Sequence, residues 1–153
     1  MSALPFFPVP PDTMNLVQTI YVSTATHELN AEEIRQILDS SIRHNASQQV
    51  TGMLLYSEGS FMQVLEGEAT AVEETMARIL KDPRHHGVNE LSRSAITERE
   101  FGSWTMGFRG IKAADAKAWP GYAPFFEYGF DAGTIASKPG VALEILKIFA
   151  TQR

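Results

Sequence analysis

The chain has no cysteine. Disulfides, thiol nucleophiles and zinc–thiolate sites are therefore excluded, and a reducing compartment is permitted, so a cytoplasmic location is expected. No run of about 18 apolar residues occurs, so no membrane span is expected. No cluster of Lys or Arg offers a phosphate track. With 13 basic against 18 acidic residues, the net charge of −5 argues against direct nucleic-acid binding. The glycine fingerprints of phosphate loops and dinucleotide folds are missing, as is the glycine-flanked serine of a nucleophile elbow. Residues 1–13 hold Pro5, Pro8, Pro10 and Pro11 and lack the basic start and continuous apolar run of a signal peptide. They read as an irregular N-terminal arm.

What is present fits one domain: 153 residues can bury a sizeable core. Leu16–Ser23 is β-branched and aromatic and predicts a strand. Leu16, Gln18, Ile20 and Val22 share one of its faces, and Val17, Thr19, Tyr21 and Ser23 the other. Asn30 with Glu33 predicts a capping box, and Ile34, Ile37, Leu38 and Ile42 give the helix behind it an apolar stripe. Arg43, His44 and Asn45 are expected to close that helix or enter the loop after it, with Asn45 as its C-cap. Val50–Ser57 predicts a second strand, and Glu58-Gly59 a tight hairpin into a third. Thr70 with Glu73 predicts the next helix start, with Val72, Met76, Ile79 and Leu80 as its stripe and Asp82-Pro83 as its stop. Strands are expected within Val88–Thr97 and over Trp104–Phe108. Breaks at Pro120, Gly121 and Pro124 precede a terminal helix over Val141–Thr151.

The order β-α-β-β-α-β-β predicts an α+β, ferredoxin-like fold with a mixed five-stranded sheet. Right-handed crossovers put strands one and three side by side and both helices on one face. The terminal helix is the natural cover for the other face, or a dimerisation element. The expected division is a 1–13 arm, a 14–111 domain and a 112–153 helical extension.

The stretch Gly59 to Gly67 reads Gly-Ser-Phe-Met-Gln-Val-Leu-Glu-Gly. Phe61, Gln63 and Leu65 share one face, Met62 and Val64 the other. Taken alone, the segment favours Gln63 facing solvent. Buried, its amide would need partners for two donors and two lone pairs, or lose roughly 1–3 kcal/mol. Topology tips the balance, because it brings Gln63 beside Tyr21 beneath the helix pair. Tyr21, Asn45, Trp104 and Met106 each read singly as core or cap residues. Together they suggest a hydrogen-bonding cluster around a flat polar ring. The adjacent pair His85-His86 reads as a solvated turn after the second helix, and Glu66, Glu68, Glu73 and Glu74 as carboxylates around a helix start. Paired-carboxylate catalysis is not expected.

Five ordered blocks resemble the BLUF domain, the family of blue-light sensors that use a flavin: Gln-Thr-Ile-Tyr-Val-Ser, Arg-His-Asn-Ala-x-x-x-x-Val-Thr-Gly-Met-Leu-Leu-Tyr, Gly-x-Phe-Met-Gln-Val-Leu-Glu-Gly, Asp-Pro-Arg-His-His and Phe-x-x-Trp-x-Met-Gly-Phe. The resemblance spans about Met14–Ile111. It implies a non-covalent flavin between the two helices, FAD as the first expectation with FMN or riboflavin open. It further implies Asn45 on the N3/O4 edge of the ring, and Gln63 between Tyr21 and the N5/O4 edge. Ile37 and Ile79 would sandwich the ring, and Arg78, Asp82 and His85 would lie near the ribityl chain and phosphate. Ser23 matches a small polar position near Gln63. His44 neighbours Asn45, and its role is left open. Trp104 and Met106 match a pair of which either could lie inward. In the resulting photosensor Tyr21 donates an electron and then a proton, and Gln63 stores one of two hydrogen-bond patterns. No substrate is turned over. A short stand-alone receptor is expected, signalling through strand five and the tail to a separate partner protein and forming a homo-oligomer. Two alternatives share the topology. An acylphosphatase-like hydrolase would want an anion-cradling glycine and an arginine in Thr24–Leu29, which has neither. A small-molecule-binding module without photochemistry would keep the pocket and have no need of the Tyr21–Gln63 pair.

Overall fold

The computed structural model describes residues 15–102, 106–111 and 140–151. The N-terminal arm, Trp104 and the breaks at Pro120, Gly121 and Pro124 lie outside the described residues. The elements run β1 (Leu16–Ala25), α1 (Ala31–Gln48), β2 (Thr51–Ser57), β3 (Ser60–Glu68), α2 (Ala69–Leu80), β4 (His85–Ala95), β5 (Gly107–Gly110) and α3 (Val141–Thr151). The sheet order is β4-β1-β3-β2-β5, antiparallel throughout except for the parallel β2–β5 pair. This is the ferredoxin-like arrangement expected from the element order, with the β5 strand added beside β2.

Period-two alternation divides the core into two layers. Tyr21, Leu54, Phe61 and Leu65 point to the face that carries Val72 and Met76 of α2, with Ile34, Ile37 and Leu38 of α1 packed against them. Ile20, Val22, Met53, Leu55, Met62 and Val64 point to the opposite face, where Ile145, Leu146 and Phe149 of α3 cover them. The terminal helix is thus the cover for the second face.

Local chemistry explains most boundaries. Asn30 and Glu33 make the expected reciprocal capping box. Glu58 (φ 45°) and Gly59 (φ 82°) are both left-handed, as a two-residue hairpin matching the strand twist requires. Gly52 is needed for a different reason: a Cβ there would lie 2.0 Å from the Val64 carbonyl oxygen.

Several expectations move. Helix α1 continues past Asn45 to Gln48, because nothing in Ala46-Ser47-Gln48 breaks it. The left-handed C-cap is Gln49 (φ 55°), whose N–H returns to the Ala46 and Asn45 carbonyls. The α2 cap is Glu68, not Thr70 with Glu73. Its carboxylate accepts from the Thr70 and Ala71 amides, which starts the helix earlier. Glu73 is instead exposed, 3.6 Å from Arg93. Glu66 is not at a helix start. It is a β3 residue, fully buried on the α3 side of the sheet. His85 and His86 do not form a solvated turn. They open β4 and pair with Ala25 and Thr24 of β1. Strand β5 runs over Gly107–Gly110 among the described residues, and the expected start at Trp104 lies outside them.

Candidate functional site

Tyr21 and Gln63 are direct cross-strand partners in the β1–β3 register. Both are buried, and the Tyr21 hydroxyl donates to Gln63 Oε1. The other end of the amide is also engaged: Gln63 Nε2 donates to Met106 Sδ at 3.2 Å. Gln63 is buried, as its expected place beside Tyr21 beneath the helix pair implied, and its neighbours on both sides supply complementary partners. Met106 is buried just before β5, and Trp104 lies outside the described residues.

Over this relay a cavity opens between the two helices. Ile37 of α1 and Ile79 of α2 supply apolar walls, Tyr21, Leu54, Phe61 and Gln63 the floor, and Arg78, Asp82, Arg84 and His85 a charged end. Seven residues singled out from the sequence therefore converge: Tyr21, Ile37, Gln63, Arg78, Ile79, Asp82 and His85. Asn45, His44, Ser23 and Met106 are not among its lining residues. Asn45 is buried in the last turns of α1. Ser23 and Met106 stand one contact away, through His85 and Gln63 respectively.

Arg84, Ser40 and Ser41 line the cavity without having been assigned from the sequence. The signal for Arg84 was available in Asp-Pro-Arg. After the proline stop, the Asp82 carboxylate accepts from the Arg84 main-chain N–H and binds its guanidinium through two oxygens. The serines lie one helical turn from Ile37, on the face the apolar stripe had claimed.

Electrostatics separate the two ends. Burial, with the nearby Asp82 carboxylate, pushes the Tyr21 hydroxyl far above the ordinary phenol range, so it keeps its proton. The hydrogen bond from Arg84 holds Asp82 below the usual carboxylate value. Burial and the Arg78 charge depress His44, against a smaller opposing effect of Glu74. Burial likewise depresses Arg78. His85 bridges elements. Its Nε2 lies 2.7 Å from the Ile79 carbonyl, which can only accept, so Nε2 carries the proton, and in the neutral ring Nδ1 accepts from Ser23 Oγ at 2.7 Å.

Comparison with known proteins gives this geometry its frame. Residues 16–107 match the family described as BLUF, sensors of blue light using FAD. The chain belongs to the BLUF family. Photoactivated adenylate cyclase subunit beta of Euglena gracilis is 37% identical over 92 residues, 60% of this chain and 11% of that protein. The blue light- and temperature-regulated antirepressor BluF of Escherichia coli (strain K12) is 32% identical over 91 residues, 60% of this chain and 23% of that protein. This chain thus spans about a tenth of the cyclase subunit and under a quarter of the antirepressor. Among solved structures, the dark-state BLUF protein BlrB superposes with a TM-score of 0.74 at 27% identity, covering 90% of this chain and 97% of that one. The photo-activated state of BlsA gives 0.74 at 25% identity, covering 90% and 96%.

The residues present fit the BLUF flavin. A slot walled by isoleucines suits a flat ring, and the floor offers a turnable amide. Arg78 Nε and His44 Nε2 are buried without a hydrogen-bond partner, which an anionic or polar tail nearby would relieve. No described helix is long and apolar enough to cross a membrane, and the described residues hold no cluster of metal-ligating side chains.

Proposed function

We propose that this BLUF chain senses blue light through a hydrogen-bond switch formed by Tyr21, Gln63 and Met106, and passes the result to an effector without turning over a substrate itself. The observation that carries this reading is the buried relay Tyr21–Gln63–Met106 on the cavity floor. The bound flavin would supply absorption of blue light and acceptance of one electron. Ile37 and Ile79 would hold its ring. Arg78, with His44 and the Asp82–Arg84 pair, would hold its polar tail, and Asn45 would anchor its polar edge from α1.

The chain's own residues define two states. Tyr21 keeps its proton in the dark, and a phenol that gives up an electron becomes a strong acid, so Gln63 Oε1 is the group placed to take the proton. Turning the Gln63 amide over exchanges its donor and acceptor ends. The Tyr21 hydroxyl can serve either end, since it both donates and accepts. Met106 Sδ cannot: a thioether accepts only, so a carbonyl turned toward it has no proton to share. Gln63 orientation is therefore tied to Met106 position, and Met106 leads directly into β5. Arg109 of β5 lies with its guanidinium 5.6 Å from the Phe149 ring of α3, giving the output a route to the opposite face of the sheet.

Purified protein should be yellow, with a flavin band that moves reversibly to longer wavelength under blue light. A colourless protein that takes up no added flavin would refute the reading.

A further inference from the structure

Three residues beyond Gln63 on β3, Glu66 points to the opposite face of the sheet and is 0% exposed. A carboxylate so placed is costly unless every lone pair finds a donor. Here Oε1 accepts from the Phe101 main-chain N–H at 2.7 Å. Oε2 accepts from the Glu100 main-chain N–H at 3.1 Å and from Gln18 Nε2 at 2.8 Å. Two of the three donors are backbone amides of one short segment after β4. Arg99 of that segment also donates to Thr51 Oγ1 and to the Glu66 main-chain carbonyl. The Phe101 ring is buried in the α3-side core, and the Glu100 carboxylate meets Lys147 of α3 at 3.2 Å.

Phe101, at the end of this segment, precedes Met106 by five residues in the chain. We infer that Glu66 is a positioning residue for the light switch: by clamping the Glu100 and Phe101 amides to β3, it sets where Met106 stands relative to Gln63. One strand then carries the switching amide on one face and the anchor of its sulfur partner on the other. When Gln63 turns and Met106 is displaced, the clamp supplies the restoring pull that returns Met106. Lys147 places the same segment in contact with α3. The inference rests on the sensor reading above.

The test is Glu66→Gln in the full chain loaded with FAD. The variant keeps the volume but presents an NH₂ group to at least one donor. Dark recovery of the light-shifted flavin band should slow by about tenfold, the change that ~1.4 kcal/mol on the barrier produces. In a Met106→Leu background, which has no sulfur to reposition, Glu66→Gln should leave recovery unchanged. Unaltered recovery in the single variant, or equal slowing in both backgrounds, would overturn the inference. Dark-state measurements keep it separate from the sensor reading. In Glu66→Gln the Glu100 and Phe101 amides should exchange hydrogen faster and the Met106 methyl resonance should move. Both changes in a protein without a photocycle would sink the sensor reading and leave the clamp standing. If Glu66→Gln does not fold, Gln18→Met removes the side-chain donor to Glu66, together with its longer contact to the Glu100 carboxylate at 3.4 Å, and leaves both amide donors in place. A smaller slowing, again absent with Met106→Leu, is then expected, and wild-type recovery would refute the clamp.

Discussion

Gln63 has partners at both ends of its amide, and only one of them can tolerate a reversal. Tyr21→Phe removes the proton donor and Gln63→Leu the turnable group. Each variant should keep flavin bound and lose the light-driven band shift, read by absorption before and after illumination. A normal photocycle in either would refute the assigned role. Met106→Leu conserves volume and removes the acceptor that favours the dark pattern, so recovery from light should slow. His44 gives a pH test. Its folded pKa lies below the ordinary value of 6.5, so on acidification the unfolded chain takes the proton first. Its contribution to stability is complete above pH 6.5 and is lost as the pH falls from there toward the folded midpoint. A histidine proton titration by NMR should show that midpoint below 6.5, and a midpoint at or above it would contradict the desolvated placement beside Arg78.

Elements place these residues through local devices that can be tested separately. The Asn30 cap holds the start of α1, the helix that carries Ile37 and Asn45. Asn30→Ala should cost about 1 kcal/mol in a denaturant titration. Gly52 matters by closeness of approach, since a methyl group there would collide with the Val64 carbonyl in the next strand. Gly52→Ala should cost about 1–3 kcal/mol, as overpacking does, and should disturb flavin binding because β2 and β3 form the cavity floor. Alternation, the Asn30–Glu33 capping box and the hairpin were legible in the sequence, being decided by neighbours within a few residues. The starts of α2 and β4 were less so. Thr70 with Glu73 and Glu68 are both adequate caps in isolation, and the backbone course into the helix favours Glu68. His85 and His86 look like turn residues until β1 offers them a pairing edge.

For the whole molecule, a sheet buried on both faces puts the light-sensing relay and the terminal helix on opposite sides of β3. Phe149 and Ile145 of α3 are almost wholly buried against the second face. Ile145→Ala should lower unfolding free energy by about 2–5 kcal/mol while leaving the dark flavin spectrum in place, because the side chain lies across the sheet from the cavity. A changed dark spectrum at full stability would contradict this division of labour.

The sequence by itself determined the element order, the two faces of each strand, the helix stripes except for Ile42 and Leu80, which are exposed at the stripe ends, and, through five ordered blocks, the family. These are set by local spacing and residue type. Only the tertiary structure decided that Met106 receives the Gln63 NH₂ group, and that Glu66 is a buried acceptor for the Glu100 and Phe101 amides rather than a carboxylate near a helix start. A polar residue in an apolar strand, taken alone, is read from sequence as facing water, because its partners lie 42 and 43 residues away. Whether it is satisfied inside depends on which strands pair and in what register, which the fold as a whole sets.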